Sequence, residues 1–233
     1  MTDANEVLRV LKSLDSSLKT AKIYRKLRKA DSALMKVIKE AKLTDADFKK
    51  LADFLTPGDL ESPAQAYRTF TRYLTSVVPA KTGPDIKAFN EILEKMIAAE
   101  KGRGAALKGP MFEQWAALHV AELSSRKFSR ITFDVKKLLK KTTPPFKRQV
   151  DTWVPGKGEI WDMKHRFGKV DPSQAADYNA LIGKVAPDGE TVRSVNYLFP
   201  TEDAAKLNRH LKTTYGFGVY YIDDATNTMK LLL

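Results

Sequence analysis

The sequence contains no cysteine and only three histidines among its 233 residues. Disulfide bonds and thiolate metal sites are therefore excluded, and His119, His165 and His210 do not share the spacing of a zinc site. A bound metal would accordingly be held by oxygen ligands. No apolar run approaches the roughly 18 residues that a membrane-spanning helix needs. The first residues also lack the basic-then-apolar order of a signal peptide, so we expect neither a membrane partner nor a general secretory route.

Basic residues exceed acidic residues very unevenly along the chain. Residues 101–150 hold 12 Lys and Arg against 3 Asp and Glu, whereas residues 151–233 hold 10 against 11. A basic block placed directly before a segment that carries carboxylates is typical of a protein that attracts a polyanion toward a site at which it acts. A solvated basic face is the alternative interpretation.

The first hundred residues have the periodicity of helices. Apolar residues recur at three- and four-residue steps over residues 7–38, as amphipathic helices require. Further helix starts are indicated by a capping box or by proline at the first helical position, at Thr44, Pro63 and Pro84. We therefore predict an all-α helical bundle over residues 1–105, with the domain boundary in the glycine-containing, basic segment 100–110.

Helices and strands alternate in the remainder of the chain. In chain order we predict a helix from Pro110 to about Ser124, three strands, a helix opened by Pro172, a strand, a helix and two strands. The predicted strands cover residues 127–139, 148–154, 158–166, 192–200, 217–223 and 229–233, and the last predicted helix covers residues 202–215. This order predicts an α/β domain over residues 106–233, with a central mixed sheet flanked by helices, and an α+β fold class for the whole chain.

One predicted hairpin, residues 148–166, carries three charged residues that suit catalysis. On its second strand the two-residue period places Ile160, Asp162 and Lys164 on one face, and the intervening turn can bring Asp151 beside them. Two carboxylates can hold a divalent metal, and a lysine next to the metal can orient or deprotonate a water molecule. An ordinary cross-strand ion pair between Asp151 and Lys164 is the alternative.

These residues resemble the PD-(D/E)XK nuclease superfamily, which has the restriction-endonuclease-like fold. Its signature is an acidic residue on one strand and then, further along, two apolar positions followed by Asp or Glu, any residue, and Lys. Asp151 and the segment IWDMK, residues 160–164, match this signature. Glu113 matches an acidic residue on the helix before the sheet, and Gln174 matches a glutamine on the helix after the lysine strand. The proline common before the first acid is replaced here by Val150.

The resemblance implies a Mg²⁺ or Mn²⁺ site. Asp151, Asp162 and the main-chain carbonyl of Met163 would bind the metal, and Glu113 would tune a second metal or its water shell. For Glu113 there is an alternative, because a glutamate in the first turn of a helix is stabilised by the helix dipole whatever its chemistry.

The resemblance also implies roles for two polar residues beside the metal. Lys164 would position the attacking water, and Gln174 would orient Lys164 or a phosphate. The alternative for Gln174 is a solvated helix residue, and for Tyr178, one turn later on the same face, a packing residue.

Basic residues around the hairpin would suit contacts with the phosphates of a nucleic acid. The predicted nucleic-acid-binding residues are Lys140, Lys141, Lys147, Arg148, His165 and Arg166. A charged strand edge that discourages aggregation is the alternative. Trp161 is expected in the core, whereas for Trp153 both a core position and stacking on a base stay open.

The function that this resemblance implies is a metal-dependent nuclease, with DNA rather than RNA as substrate. A compact nuclease behind a helical region is also similar to restriction-endonuclease-fold toxins of bacterial competition. For such a toxin we expect action in the cytoplasm of a rival cell, export by a specialised secretion system without a signal peptide, and a cognate immunity protein. The alternatives are a non-catalytic nucleic-acid-binding protein, an RNase on the same fold, and a restriction, repair or mobile-element nuclease.

Overall fold

The computed structural model describes Thr44 and residues 63–99, 104–124, 130–165 and 168–233. The chain divides into two compact units, Met1–Gln114 and Trp115–Leu233, which are described here one at a time. The predicted boundary after residue 105 falls inside a helix that begins at Gly104. Most of the predicted helical bundle, including the helix expected after Thr44, lies outside the described residues.

The described residues of the first unit form three helices: α1 (Pro63–Thr82), α2 (Ile86–Ala99) and α3 (Gly104–His119), the last of which continues past Gln114. The predicted helix start at Pro63 is confirmed. The start predicted at Pro84 is wrong by two residues, because Asp85 caps the helix instead. Its Oδ1 accepts the main-chain N–H groups of Lys87 at 2.9 Å and Ala88 at 3.1 Å, as an N-cap side chain does.

The prediction that Pro110 opens a helix is wrong, because Pro110 lies inside α3. A proline within a helix removes one main-chain hydrogen bond and crowds the preceding turn. Met111, Phe112 and Trp115, in the next turns, are fully buried. We infer that their burial offsets this cost, since each large apolar side chain contributes about 2 kcal/mol when it leaves water.

In the second unit, the residues that the structure describes form a short α4, four further helices and seven strands. In chain order its elements are α4 (Ala121–Ser124), β1 (Thr132–Asp134), α5 (Val135–Leu139), β2 (Lys147–Gln149), β3 (Thr152–Val154), β4 (Glu159–Met163), α6 (Pro172–Leu181), β5 (Ser194–Phe199), α7 (Glu202–Leu207), α8 (His210–Tyr215), β6 (Gly218–Asp223) and β7 (Thr228–Leu231).

The main sheet of this unit is mixed, and its strand order is β3-β4-β5-β6-β7. The central strands β4, β5 and β6 run parallel to one another, whereas β3 and β7 pair antiparallel at the two edges. Parallel neighbours need a crossover, and helices supply both crossovers: α6 between β4 and β5, and α7 with α8 between β5 and β6. The predicted α+β class with a central mixed sheet is therefore confirmed.

One face of the sheet packs against α6, α7 and α8. Apolar side chains of β4, β5 and β6 form a continuous core with those of the helices. Large members of this core include Phe133, Trp153, Ile160, Tyr178, Tyr197, Phe199, Leu211 and Phe217. The predicted start of α6 is confirmed, because Asp171 accepts the main-chain N–H of Ser173 at 2.9 Å and Pro172 is the first helical residue.

Three predicted elements are interrupted in the structure. In two of them a polar side chain forms hydrogen bonds with main-chain groups at the interruption. The strand predicted over 127–139 ends at Asp134, whose side chain caps α5 by accepting the N–H of Lys137 at 3.0 Å. The helix predicted over 202–215 divides at Asn208, whose fully buried amide binds the main chain of Val170 and Ala204 at 2.8 and 2.9 Å.

The strand predicted over 148–154 is the third broken element. Its first part, β2, pairs with β1 in a separate two-stranded sheet, and its second part, β3, joins the main sheet. Val150 and Asp151 lie between the two parts. This break frees Asp151 from the ladder of the edge strand and places it next to β4.

Candidate functional site

Asp162 is the centre of the candidate site. It lies on β4, the second strand of the main sheet, and is fully buried. Lys164 Nζ lies 2.5 Å from its Oδ1, and Gln174 Nε2 donates to its Oδ2 at 2.9 Å. A buried carboxylate is strongly unfavourable unless it is paired and hydrogen-bonded, so Lys164 and Gln174 together explain how the fold tolerates Asp162.

Oδ1 of Asp162 is paired through Lys164, and no other donor among the described residues reaches it. A carboxylate oxygen has two lone-pair positions, so Oδ1 can accept a further ligand beside Lys164.

Asp151 is brought to the same place by the hairpin. Thr152 pairs with Trp161 in the antiparallel register of β3 and β4, and one further step along this register sets Asp151 opposite Asp162. The carboxylate of Asp151 accepts the main-chain N–H of Met163 through Oδ2 at 3.2 Å. The fold therefore brings together Asp151, Asp162 and Met163, the three residues predicted to bind metal from this hairpin.

Two buried tyrosines lie within the electrostatic field of both carboxylates. Burial, followed by the charges of Asp162 and Asp151, raises the pKa of Tyr178 and of Tyr197 far above the usual value for a phenol. The hydroxyls therefore stay neutral beside the two acids.

Tyr178 and Gln174 form a short chain of hydrogen bonds that ends at Asp162. Gln174 Nε2 donates to the Tyr178 hydroxyl at 3.1 Å as well as to Asp162. The Tyr178 hydroxyl in turn donates to the main-chain carbonyl of Gln149 at 3.5 Å, a long contact. Gln174 is thus attached to the site and is not a freely solvated residue, which answers the alternative that the sequence left open.

Sequence reasoning missed Tyr197. It lies on β5 directly beside Asp162 in the parallel register of β4 and β5. Its hydroxyl is buried and has no hydrogen-bond partner among the described residues. The alternation of Val195, Tyr197 and Phe199 on β5 predicts that the three side chains share a face, but the pairing of Tyr197 with Asp162 follows only from the register between two strands distant in sequence.

The residues present fit a divalent cation. Two carboxylates and one lysine carry a net charge of −1, one carboxylate oxygen has an unused acceptor position, and all the donors are hard oxygens of the kind that Mg²⁺ prefers. Nowhere in the described ranges do three His, Cys, Asp or Glu side chains cluster so as to hold a metal ion. The predicted site has fewer such side chains, because a main-chain carbonyl and water would complete it.

Glu113 lies on α3 in the first unit. Its predicted metal role stays a prediction, as do the metal roles of the hairpin residues. Trp161 is buried, which confirms the expected core position, and Trp153 is fully buried as well.

The predicted nucleic-acid-binding residues occupy different environments. Lys140 and Lys147 are exposed, as a contact with a polyanion requires. His165 is buried, with only 4% of its surface exposed, so its position does not support a phosphate contact. Arg166 lies outside the described residues. Lys141 and Arg148 are both engaged by Asp177, a residue that the sequence analysis did not single out.

A cleft of about 420 Å³ lies elsewhere in the second unit, beside α7, α8, β6 and β7. It is lined by Glu202, Lys206, Arg209, Tyr221, Lys230 and the last three leucines, and it contains none of the predicted site residues. We therefore place the candidate site at the buried Asp162 because of its chemical environment, and not at this cleft because of its size.

In the part of the chain that the structure describes, every helix is too short or too polar to cross a membrane. No family model, no curated protein and no solved structure matches the chain. The functional interpretation therefore depends on the residues themselves.

Proposed function

We propose that this chain is a metal-dependent endonuclease that hydrolyses phosphodiester bonds, with DNA as its substrate. The observation that carries the proposal is the environment of Asp162. This carboxylate is fully buried and is bound by Lys164 through Oδ1 and by Gln174 through Oδ2, and Asp151 lies opposite it on the hairpin and accepts the main-chain N–H of Met163. Two acids held side by side repel each other, and a bound divalent cation would relieve this repulsion.

Asp151, Asp162 and the main-chain carbonyl of Met163 would hold a Mg²⁺ or Mn²⁺ ion. When bound, such an ion supplies Lewis-acid stabilisation of charge on a phosphate and lowers the pKa of a coordinated water molecule. The resemblance of this segment to the PD-(D/E)XK signature leads to the same assignment.

Lys164 has the position required to act on water and phosphate. Its side chain is 19% exposed, whereas its partner Asp162 is fully buried, so the ammonium group lies between the buried acid and the solvent. There it can donate hydrogen bonds to an attacking water or to a phosphate oxygen. Its positive charge would stabilise the negative charge that develops on the phosphate during hydrolysis.

Gln174 orients the carboxylate of Asp162. By donating to Oδ2, it fixes the rotation of the carboxylate and leaves Oδ1 toward Lys164. Tyr178 holds the Gln174 amide in turn. We assign both as positioning residues, because their contacts are with Asp162 and with each other.

The basic block before the hairpin supplies the attraction for the substrate. Lys140 and Lys147 are exposed and belong to the segment in which Lys and Arg outnumber Asp and Glu most strongly. Contacts with the phosphate backbone make binding strongly dependent on salt and largely independent of sequence.

A cleavage assay tests the proposal. The purified chain is incubated with plasmid DNA and, separately, with RNA, in Mg²⁺, in Mn²⁺ and in EDTA. We expect DNA to be cut with a metal and not in EDTA. Asp162→Asn and Lys164→Ala should abolish cutting and leave DNA binding nearly unchanged, while Asp224→Asn and Lys184→Ala, at exposed positions, provide matched controls for the changes in charge.

Each other outcome has a definite meaning. If neither nucleic acid is cut with either metal, the enzyme proposal is wrong and a non-catalytic nucleic-acid-binding protein is favoured. If only RNA disappears, the chain is an RNase on the same fold. If Asp162→Asn still cuts, the assigned site is not the active site.

We also propose, from the resemblance alone, that the nuclease acts as a toxin between bacteria and is held inactive in its producer by an immunity protein. Expression should then be toxic to a bacterial host. Loss of this toxicity in Lys164→Ala, at equal protein level, is the expected result, and equal toxicity of the variant would contradict the proposal.

A further inference from the structure

Asp177, on α6, holds two basic residues from another part of the chain. Lys141 Nζ lies 2.7 Å from both of its carboxylate oxygens, and Arg148 Nε donates to Oδ2 at 2.7 Å. Asp177 is itself buried, and the side chains of Lys141 and Arg148 are 17% and 14% exposed. Two cations share one carboxylate, so the cluster keeps a net charge of +1.

The guanidinium group of Arg148 is fixed at two points. Nε donates to Asp177, and Nη2 donates to the hydroxyl of Ser173 at 3.0 Å. A guanidinium has five N–H donors in a planar fork, so these two contacts leave other donors unused. Nη1 has no hydrogen-bond partner among the described residues, and the fork is therefore held in place with one side available.

The helix that fixes Arg148 is the helix that supports the acid. Ser173 and Asp177 lie on either side of Gln174 in α6, and Gln174 donates to Asp162. The residue after Arg148, Gln149, also accepts the Tyr178 hydroxyl through its main-chain carbonyl. The guanidinium is thus connected to the candidate site both through α6 and through its own strand.

The electrostatic environment of Tyr197 reflects the same proximity. Burial and then Asp162 raise the pKa of Tyr197, whereas the positive charge of Arg148 acts to lower it. Arg148 is therefore within electrostatic range of the phenol that lies directly beside Asp162 on β5.

We infer that Arg148 binds a backbone phosphate of the nucleic acid at the candidate site and that Asp177 is the positioning residue that holds it there. This inference rests on the proposed function and names a substrate contact within it. A phosphodiester is a monoanion with two non-bridging oxygens, and a guanidinium whose orientation is already fixed can donate to them without first losing side-chain freedom. Lys141, on the same carboxylate, adds positive charge beside it.

A cluster that only braced the two-stranded sheet of β1 and β2 against α6 would contain the same ion pairs. The two roles differ in what they predict for substitutions. A bracing role affects stability, whereas a phosphate-binding role also affects the salt dependence of binding and the rate of cleavage.

The first experiment measures DNA binding without cleavage. Fluorescence anisotropy of a labelled DNA duplex is recorded in EDTA over a series of salt concentrations. Arg148→Ala should weaken binding and reduce the slope of log K against log salt by about one, as the loss of one phosphate contact requires. Arg193→Ala, at an exposed arginine, is the control and should leave the slope nearly unchanged.

The second experiment removes the negative charge of Asp177, which holds Arg148 in position. Asp177→Asn should bind DNA at least as tightly as the original chain, because two cations lose their anionic partner. At the same time its cleavage rate at saturating DNA should fall at least tenfold, because Arg148 is no longer held. Asp224→Asn changes the net charge equally at an exposed position and should retain the cleavage rate.

The third variant, Arg148→Lys, distinguishes an effect on cleavage from a loss of folding. Arg148→Lys keeps the charge but cannot make the Nε and Nη2 contacts together. It should keep the salt slope and lose cleavage at least tenfold. Thermal unfolding of every variant is recorded, and each comparison is made well below the lowest melting temperature.

The results separate this inference from the proposed function. If the original chain cuts DNA and Arg148→Ala changes neither the salt slope nor the cleavage rate, the inference is wrong and the nuclease proposal stands. If the original chain cuts nothing, the nuclease proposal fails, and the slope measured in EDTA still decides whether Arg148 contacts phosphate. A parallel fall of binding and stability in Asp177→Asn, with an unchanged cleavage rate, assigns the cluster a bracing role and overturns the inference.

Discussion

Asp162 and Tyr197 lie side by side on the parallel strands β4 and β5, and the hydroxyl of Tyr197 is buried without a hydrogen-bond partner within the described residues. Such a hydroxyl is costly, because it has lost its hydration without compensation. Asp162 differs, since Lys164 and Gln174 bind its two oxygens. Tyr197 is therefore the residue beside the candidate site whose polar group stays unsatisfied.

The hydroxyl of Tyr197 provides the first prediction. Tyr197→Phe removes a buried, unpaired hydroxyl and keeps the ring, so we expect the free energy of unfolding to stay the same or to rise by up to about 1 kcal/mol. Tyr178→Phe is the matched control. It loses the contact with Gln174 and should lower the free energy of unfolding by about 1 kcal/mol. Urea denaturation measures both, and a clear loss of stability in Tyr197→Phe would show that its hydroxyl has a partner.

Alkaline titration provides the second prediction. Burial, Asp162 and Asp151 raise the pKa of Tyr178 and Tyr197 in the folded chain above the ordinary value of 10.0. The stability that these neutral phenols contribute is therefore complete below about pH 10 and declines as the pH rises above it, because the unfolded chain then releases their protons first.

Two of the eight tyrosines should accordingly resist ionisation until the protein unfolds. Phenolate absorbance and circular dichroism are followed together as the pH is raised. The last phenols should ionise together with the loss of secondary structure. Complete ionisation of all tyrosines in a protein that is still folded would contradict the prediction.

Metal binding provides the third prediction, and it does not require activity. A Mg²⁺ or Mn²⁺ ion that binds only the folded chain should raise its stability by about 1.4 kcal/mol at ten times the dissociation constant. The melting temperature should rise on adding the metal and return on adding EDTA. Asp162→Asn should lose this shift, whereas Asp224→Asn should keep it. An equal melting temperature with and without metal in the original chain would remove the support for a metal site at Asp162.

The turn between β3 and β4 provides the fourth prediction, through two glycines that differ in their surroundings. Gly156 and Gly158 both have positive φ angles, of 80° and 66°. At Gly156 an added Cβ meets nothing within 4 Å, whereas at Gly158 it would lie 2.2 Å from the carbonyl oxygen of Thr191. The two substitutions to alanine therefore share the backbone strain and differ in the clash.

We expect Gly156→Ala to cost about 1–2 kcal/mol, the usual penalty of a left-handed conformation for a residue with a side chain. Gly158→Ala should cost clearly more and should disturb the hairpin that places Asp151 opposite Asp162. Denaturant unfolding measures the difference, and metal-induced stabilisation shows whether the site is affected. Equal costs for the two variants would mean that the turn can move away from Thr191.

Much of the second unit could be predicted from local patterns. The hairpin of β3 and β4, the start of α6 at Pro172, and the strands β5, β6 and β7 follow from alternation, turn residues and caps. Two of the three broken elements failed where a polar side chain takes a main-chain bond: Asp134 at the start of α5, and Asn208 between α7 and α8. Such bonds depend on which groups the fold brings within reach.

The residues of the candidate site also fall into those that local patterns predict and those that only the fold brings together. The spacing of Asp151, Asp162 and Lys164 on one hairpin is a local property, because a turn of four residues and a two-residue period are sufficient to bring them together. The contact between Lys141 and Asp177 joins residues 36 positions apart, and no local period indicates it. The same is true of Tyr197, whose place beside Asp162 follows from the parallel pairing of β4 with β5.

The sequence by itself therefore determined which residues can perform the chemistry, since charge, residue type and strand period are local. Only the tertiary structure decided that Asp162 is fully buried, that Gln174 binds it, and that Arg148 is held by Asp177. The physical reason is that burial and pairing depend on the packing of α6 and β5 against β4, and this packing is set by contacts between segments that are far apart in the chain.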